Sequence, residues 1–321
     1  MSGLISRRQI FPAAAAFGAG AYFGLDRLAK ADTYPARDIN FIIPYGPGGS
    51  FDAYGRKFSV LLQSALGHVN VAPINAPGAA GKQAIFQLLQ DAPDGYNISL
   101  VAIPGILMTE GGGPIDLGKL TWVANLGRDS YGLGVGKDGG IKNVADLKAL
   151  SAKRPVVFAT TGVGSTDYFA AKVFAASLDI KIRFVSGYAD SSTSAIAVTR
   201  GDVDAVVHSL STLRQMQSSG LARVIFAFQE KSDIPGIQDA TALGKPDLGK
   251  IYQWRPVAAP PSVPRDIVMK LSGALVAAAK TPDAAAWAAK LDTTLYPLNA
   301  DQTVQMIREQ RALIAKWHSV L

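Results

Sequence analysis

The residues best suited to chemistry in this chain sit in two glycine loops. The first reads Tyr45-Gly46-Pro47-Gly48-Gly49-Ser50-Phe51-Asp52 and follows the apolar run Ile39 to Ile43. The second reads Thr161-Gly162-Val163-Gly164-Ser165-Thr166-Asp167 and follows Pro155 to Thr160. Each is a β-branched and aromatic run, a glycine turn, Ser-x-Asp, and then an amphipathic stretch. That order spells strand, turn and capped helix start. Glycine lets the backbone turn sharply and approach a ligand. A helix start offers unpaired N–H groups and the positive end of a dipole, which suits an anion. One such loop is an ordinary strand-to-helix connection, and fold alone does not fix function. Two of them suggest two lobes clasping an acidic small molecule.

Other chemistries fail on spacing. Gly81-Lys82-Gln83 has the ending of a phosphate-binding loop, but that motif needs Gly at 76 and Ser or Thr at 83, where Ala76 and Gln83 stand. The second glycine loop lacks the third glycine and later acidic partner of a dinucleotide site. Ser50 and Ser165 lie in no Gly-x-Ser-x-Gly elbow, so they read as hydroxyl donors and helix caps. The chain has no cysteine and three histidines, His68, His208 and His318, none in a metal-binding spacing. No metal and no cofactor is expected.

The elements that position these loops alternate. Strand 39–43, a helix near 52–66, a strand near 70–74, a helix to about 91 and strand 97–103 give a βαβαβ order. That order predicts a parallel sheet with right-handed crossovers. Strands 121–126 and 131–136 flank a first passage between lobes. The second lobe repeats the theme: helix 143–151, strand 155–159, helix 166–178, strand 181–185, helix 191–200, strand 205–208, a short helix and strand 222–228. After a surface connection marked by Pro235, Gly236, Gly244 and Pro246, strand 252–259 returns to the first lobe. Helices 264–279, 282–291 and 301–318 close the chain. In the last, Val304, Ile307, Leu313, Ile314 and Trp317 form a core-facing stripe.

The N-terminus has Arg7-Arg8, an apolar run to Leu25, and Ala29-Lys30-Ala31. This is the build of a secretory signal of the twin-arginine type, too short to span a membrane. Cleavage after Ala31 is expected. It would take the chain from 32 basic and 25 acidic residues to 28 and 24, a net charge of +4. No basic run or basic–aromatic patch marks a nucleic-acid surface. The mild positive balance slightly favours anionic solutes. Without disulfides, the roughly 290 remaining residues must rely on a buried core, which that length supplies.

Four patches make the chain similar to a known family. They are Tyr34-Pro35-x-Arg37 with Ile43-Pro44-Tyr45-x-Pro47-Gly48-Gly49-x-x-Asp52-x-x-x-Arg56; Asn75-x-Pro77-Gly78-Ala79-x-Gly81 with Pro93-Asp94-Gly95-Tyr96; Gly162-x-Gly164-Ser165 with Gly201-x-Val203-Asp204; and Trp254, Ala259-Pro260 and Ala315-Lys316-Trp317. Together they resemble the Bug family of periplasmic solute receptors, which serve tripartite tricarboxylate transporters. The resemblance spans 34–321. It implies an α/β, two-lobed type II periplasmic binding fold, each lobe a Rossmann-like sheet with helices on both faces. Residues 32–130 and 252–321 would form lobe one, and 131–251 lobe two. It further implies that Tyr45, Gly46, Gly48, Gly49, Ser50, Phe51 and Asp52 belong to a lobe-one carboxylate cradle. Thr161, Gly164, Ser165 and Thr166 would belong to its lobe-two counterpart. Asp52 and Asp204 read better as turn organisers than as ligand contacts.

The sequence also departs from the family pattern. Ala76 replaces an Arg, Tyr168 a His, Ala197 an Asp, and Ser186-Gly187-Tyr188-Ala189-Asp190 a Val-Pro-Tyr-Lys-Gly stretch. Tyr188 and Asp190 therefore join the candidate ligand wall. Asp190 either meets a ligand ammonium or caps helix 191–200, and capping is favoured. Arg128, at the inter-lobe passage, either meets a second carboxylate or is a solvated hinge residue. The expected protein is a non-catalytic, monomeric, periplasmic receptor that delivers a small organic carboxylate to the membrane subunits of a tripartite tricarboxylate transporter. A soluble sensor for a signalling kinase and an exported hydrolase are the rival readings. Exported protein is expected to begin at Asp32, and replacing Arg7 and Arg8 by Lys should stop export. N-terminal sequencing that finds Met1 on exported protein contradicts this.

Overall fold

The structure, a computed structural model, describes residues 34–321 except His68 and 112–114. The expected signal and its cleavage point after Ala31 lie outside the described residues. The first half of the fold starts with β1 (Ile39–Ile43), α1 (Ser50–Leu66), β2 (Val71–Asn75), α2 (Lys82–Leu88) and β3 (Asn97–Leu100). Strands β2, β1 and β3 pair in parallel, as the βαβαβ order predicts. The register Ile39↔Val71 and Asn40↔Asn97 brings the ends of β1 and β2 to one edge. Helix α1 buries Phe51, Tyr54, Phe58, Leu61 and Leu62, spaced by threes, fours and sevens as a core-facing stripe requires. It stops at Gly67, whose left-handed backbone (φ 79°) sends its N–H back to the Gln63 carbonyl.

One strand carries the chain between halves. The residues read as strands 121–126 and 131–136 form a single strand, β4 (Thr121–Gly136). Through Ser130 it pairs with the returning strand further along the chain, and from Tyr131 it pairs with strands of the second half. The second half comprises α3 (Val144–Lys153), β5 (Val156–Thr160), α4 (Thr166–Leu178), β6 (Ile182–Ser186), α5 (Ser191–Arg200), β7 (Ala205–Ser209), α6 (Leu210–Ser218) and β8 (Ala222–Ala227). Strands β6, β5 and β7 are parallel, while β7 and β8 run antiparallel to β4. The returning strand β9 (Tyr252–Ala259) is antiparallel to both β3 and β4. Helices α7 (Arg265–Ala279), α8 (Pro282–Leu291) and α9 (Ala300–Lys316) finish the chain, with β10 (Leu295–Leu298) between the last two. Strand β10 was not expected from the sequence. It is four residues long, holds Pro297 and pairs with β4 through only two irregular positions. Proline is confined to edge positions of sheets, which hides such a strand from pattern reading. The α9 stripe packs as expected, with Ile307 and Ile314 buried and Val304, Leu313 and Trp317 against the same core.

Beneath the start of α1 lies a buried ion pair. Arg255 on β9 reaches Asp129 on β4 at 2.6 Å, with the two side chains 0% and 4% exposed. Asp129 Oδ1 also accepts the Thr293 hydroxyl (2.7 Å) and the Thr294 N–H (3.0 Å), which ties in the segment leading to β10. The guanidinium lies 4.3 Å from the Tyr54 ring centre and 5.1 Å from that of Phe51. Two strands and the first turns of α1 thus meet on one cation.

The two halves also touch directly. The Gly105 N–H donates to Thr166 Oγ1 at 3.1 Å, joining the segment after β3 to the first turn of α4. A Cβ on Gly105 would overlap the Ser165 and Thr166 backbone. Gly105→Ala is therefore expected to hold the halves apart, raising the radius of gyration in small-angle scattering while melting stays cooperative. A wild-type radius contradicts this. Arg255→Ala strands the Asp129 charge and is expected to cost about 3–5 kcal/mol. A wild-type midpoint in urea unfolding would rule that out.

Candidate functional site

Where the halves face each other, a small cavity opens. It is lined by Tyr45, Gly49, Ser50 and Phe51 from the β1–α1 loop and by Thr161, Asp167 and Asp190 from the loops after β5 and β6. Tyr131, His208, Ser209 and Gln253 complete it from β4, β7 and β9. Its volume of about 30 Å³ exceeds the roughly 10–15 Å³ that one water needs. The rim is latched between halves: Gly46 N–H donates to the Ala189 carbonyl (3.3 Å) and the Ser192 hydroxyl to the Gly48 carbonyl (3.2 Å).

The β1–α1 loop is braced from behind. Asp52 accepts the Gly48 N–H (3.0 Å), Arg56 Nε (3.0 Å) and Asn75 Nδ2 (2.9 Å), and Asn75 Nδ2 also reaches the Tyr45 carbonyl at 2.9 Å. Burial opposes ionisation of Asp52, but these donors outweigh it and hold its carboxyl below the usual range. Asp52 is thus occupied in shaping the turn and does not line the cavity. Helix α1 begins at Gly49, which has no side chain to cap it. The positive end of this 17-residue helix therefore opens toward the cavity wall formed by Gly49, Ser50 and Phe51. Gly46 and Gly48 belong to the rim latch.

The loop after β5 is built differently. Ser165 is fully buried. Its hydroxyl donates to the Gly162 carbonyl (2.7 Å), neighbours Thr160 Oγ1 (3.2 Å) and accepts the Tyr168 N–H (3.2 Å) as the cap of α4. Thr166 is occupied by the Gly105 N–H, and Gly164 packs against Thr109. These three residues lie outside the lining. Thr161 lines the cavity and gives its N–H and its hydroxyl to Asp167, both at 3.0 Å.

Two further sequence candidates find other partners. Arg128 stands over the rings of Tyr296 (4.2 Å), Tyr252 (4.7 Å) and Trp254 (5.4 Å), stacked by cation–π attraction where β4, β9 and β10 meet. Tyr188 packs on the cluster of Val157, Ala159, Ala197, Val198, Val203 and Val206. Neither lines the cavity. Tyr168, where the family pattern has His, stacks on Phe184 at 4.4 Å. Asp204 pairs with Arg154 and accepts the Val157 N–H, a turn organiser as expected. Asp190 caps α5 through Oδ1, which accepts the Thr193 N–H at 2.9 Å, and it also lines the cavity.

Five lining residues were not among the sequence candidates: Tyr131, Asp167, His208, Ser209 and Gln253. Asp167 stood in the quoted Ser-x-Asp motif and His208 at a predicted strand end, so both were within reach. Tyr131, Ser209 and Gln253 arrive only through strand register: Tyr131 pairs with Ser209, and its hydroxyl donates to Gln253 Oε1. Burial, then the Asp167 charge, drive the Tyr45 and Tyr131 hydroxyls well above the usual tyrosine range. Burial lowers the His208 pKa from its ordinary 6.5, against the opposing pull of Asp167 and Asp190. His208 Nε2 is bonded to the buried Ser194 hydroxyl, not to Ser50 or Ser165.

Comparison with known proteins agrees with this architecture. Over 326 positions the chain is 28% identical to the UPF0065 protein in the gbd 5' region of Cupriavidus necator, covering 97% of this chain and 96% of that protein. MatC from Rhodopseudomonas palustris with bound malate superposes with a TM-score of 0.81 at 20% identity, covering 89% of this chain and 99% of that one. A second R. palustris protein, with adipate, gives 0.79 at 22% identity, covering 89% and 97%. The fold is therefore the two-lobed α/β fold of periplasmic binding proteins. Residues 58–320 match the family model described as tripartite tricarboxylate transporter family receptor, and the chain belongs to that receptor family.

Proposed function

We propose that the protein is a periplasmic receptor that traps a small organic carboxylate between its lobes and hands it to the membrane subunits of a tripartite tricarboxylate transporter. The observation that carries this reading is the shared cavity. Both halves line it, the uncapped start of α1 faces it, and hydrogen bonds between the halves cross its rim. Residues 32–130 with 252–321 form lobe one and 131–251 lobe two on this reading. The change of β4 partners between Ser130 and Tyr131 supports that boundary. The ligand carboxylate lies against Gly49, Ser50 and Phe51, where the dipole of α1 and the Ser50 hydroxyl favour negative charge. The volume between the halves is small, so a ligand enters by parting the lobes and is enclosed when they shut. No catalysis is assigned. Ser165 and Ser194 are buried, and the bonding of His208 to Ser194 argues against a hydrolase built on Ser50 or Ser165.

Mass spectrometry of the small molecule that co-purifies with residues 32–321, followed by calorimetry with that acid, tests the reading. Ligand at 100 times its dissociation constant is expected to stabilise the protein by about 2.7 kcal/mol and to be recovered unchanged. Ser50→Ala removes one hydrogen bond to a charged group and is expected to weaken binding by about ten- to a hundredfold. Gly49→Val crowds the backbone at the start of α1, where the carboxylate must approach closely, and should weaken binding further. Turnover of the acid, or wild-type affinity in both variants, contradicts the assignment.

A further inference from the structure

A second cavity lies in the second half of the fold, away from the cleft. Its volume of about 430 Å³ falls within the roughly 300–1,000 Å³ of small-molecule sites. The residue after β4, the start of α3, the end of α6 and strand β8 surround it, with Gly236, Ile237 and Gln238 along one side. It shares no lining residue with the cleft cavity. Lys137, which lines it, lies about 20 Å along the extended chain from Tyr131 in the cleft.

The charges on this wall are all of one sign. Lys137, Lys142 and Arg223 line it, and no aspartate or glutamate does. None of the three makes an ion pair among the described residues. The carboxylates close in sequence are engaged elsewhere. Asp138 and Asp146 line a neighbouring cavity, and Asp146 accepts the Lys142 N–H at 2.8 Å. Asp239 accepts the Ser232 and Ala242 N–H groups. Arg223 Nε is buried and has no hydrogen-bond partner among the described residues. Such a donor is costly to leave unpaired, and an acceptor brought to it recovers that cost.

The rest of the lining adds donors. Gln217 Oε1 accepts the Val224 N–H (2.8 Å) and Gln238 Oε1 the Val144 N–H (3.2 Å), so the NH2 group of each side chain remains available to donate. Lys137 Nζ lies over Gly220, 3.3 Å from where a side chain there would begin. The negative end of α6 draws the ammonium to that position. Val224, Ile225 and Ile237 supply apolar surface beside these groups. Three cations around one volume call for an anion with several oxygens and more than a single charge. A phosphate group has both: a guanidinium binds two of its oxygens side by side, and ammonium groups meet it as point charges.

We propose that this cavity is a second binding site, separate from the cleft, that takes a phosphate-bearing molecule, its phosphate held by Arg223, Lys137 and Lys142 and its remainder lying on Val224 and Ile237. The phosphate belongs either to a free phosphate ester or to the headgroup of an anionic lipid, and the same three cations serve both.

Calorimetry of the protein at low salt with glycerol 3-phosphate, and sedimentation with phosphatidylcholine vesicles with and without phosphatidylglycerol, test this. Two variants accompany the wild type: Arg223→Gln, and Lys137→Gln combined with Lys142→Gln. Both lysines are exposed, so the paired variant should melt like the wild type. At least one probe is expected to bind, and each variant is expected to lose at least tenfold in affinity for it, because each removes charged hydrogen bonds. Wild-type binding should also weaken as salt is raised. Binding of glycerol 3-phosphate without sedimentation assigns the site to a free phosphate ester. Sedimentation only with phosphatidylglycerol, lost in both variants, assigns it to a lipid headgroup. No binding of either probe by the wild type overturns the proposal, as does wild-type affinity in the paired lysine variant.

Discussion

The arrangement of the site depends on the buried contact between Arg255 and Asp129. A charge with no exposed surface is costly unless a partner and further hydrogen bonds compensate it. Here compensation comes from four directions. Asp129 rises from β4, Thr293 and Thr294 close on its other oxygen, Tyr54 and Phe51 offer ring faces, and β9 delivers the arginine itself. The compensation is partial, since Arg255 Nε and Nη2 have no hydrogen-bond partner among the described residues and face the rings instead. Two consequences reach the cavity. Phe51, on the guanidinium, is a lining residue, so the start of α1 is set by the pair. Gln253, two residues before Arg255 on β9, meets the Tyr131 hydroxyl across the cavity floor. Net stability gained by such a pair is small or negative against an apolar substitute. Its value here is geometric: it holds the first turn of α1 and the crossing of β4 and β9 in one relative position.

The two glycine loops, alike in sequence, have diverged in what they offer a ligand. In the β5–α4 loop the serine caps its own helix and is buried in local bonds, leaving Thr161 and the carboxylate of Asp167 toward the cavity. In the β1–α1 loop the helix begins at glycine, and the aspartate that could have capped it is drawn backward by Arg56 and Asn75. One loop presents a positive helix end and the other a negative side chain. The two sides of the cavity therefore differ in electrostatic potential.

Much of this fold was legible because its signals are local. Strand 252–259 and the helices at 166–178 and 191–200 have the bounds expected, set by apolar periodicity and by turn residues beside them. Strand β4 was read as two because Gly127 and Arg128 interrupt its apolar run, yet Gly127 sits where Tyr54 and Thr294 leave no space for a side chain. Within the site, Tyr45, Gly49, Ser50, Phe51, Thr161 and Asp190 were legible from motifs. Tyr131, Ser209 and Gln253 were not, since their meeting is a matter of register between strands far apart in sequence. The reverse error has the same origin. Ser165 carries a binding-loop motif, but whether its hydroxyl faces a ligand or its own helix is decided by three-dimensional neighbours such as Gly105 and Thr160. Arg128 is a charged residue on β4, and only the convergence of β9 and β10 supplies the rings that occupy it.

Among the described residues, charged pairs join the halves away from the cavity, Arg214 with Asp292 and Lys316 with Asp247, while the direct hydrogen bonds between the loops around the cavity are few. Those from Gly46 to Ala189, Ser192 to Gly48 and Gly105 to Thr166 are neutral, and a neutral hydrogen bond contributes roughly 0.5–1.5 kcal/mol net. The loop bonds form at a rim that water can reach, which leaves them near the bottom of that range. Such contacts define how the lobes meet more than they hold them shut. A ligand that touches both walls adds interactions that exist only in the closed arrangement, and an equilibrium moves only by such differential affinity. Charged and polar contacts gain most from this, because their strength rises once the cleft excludes water.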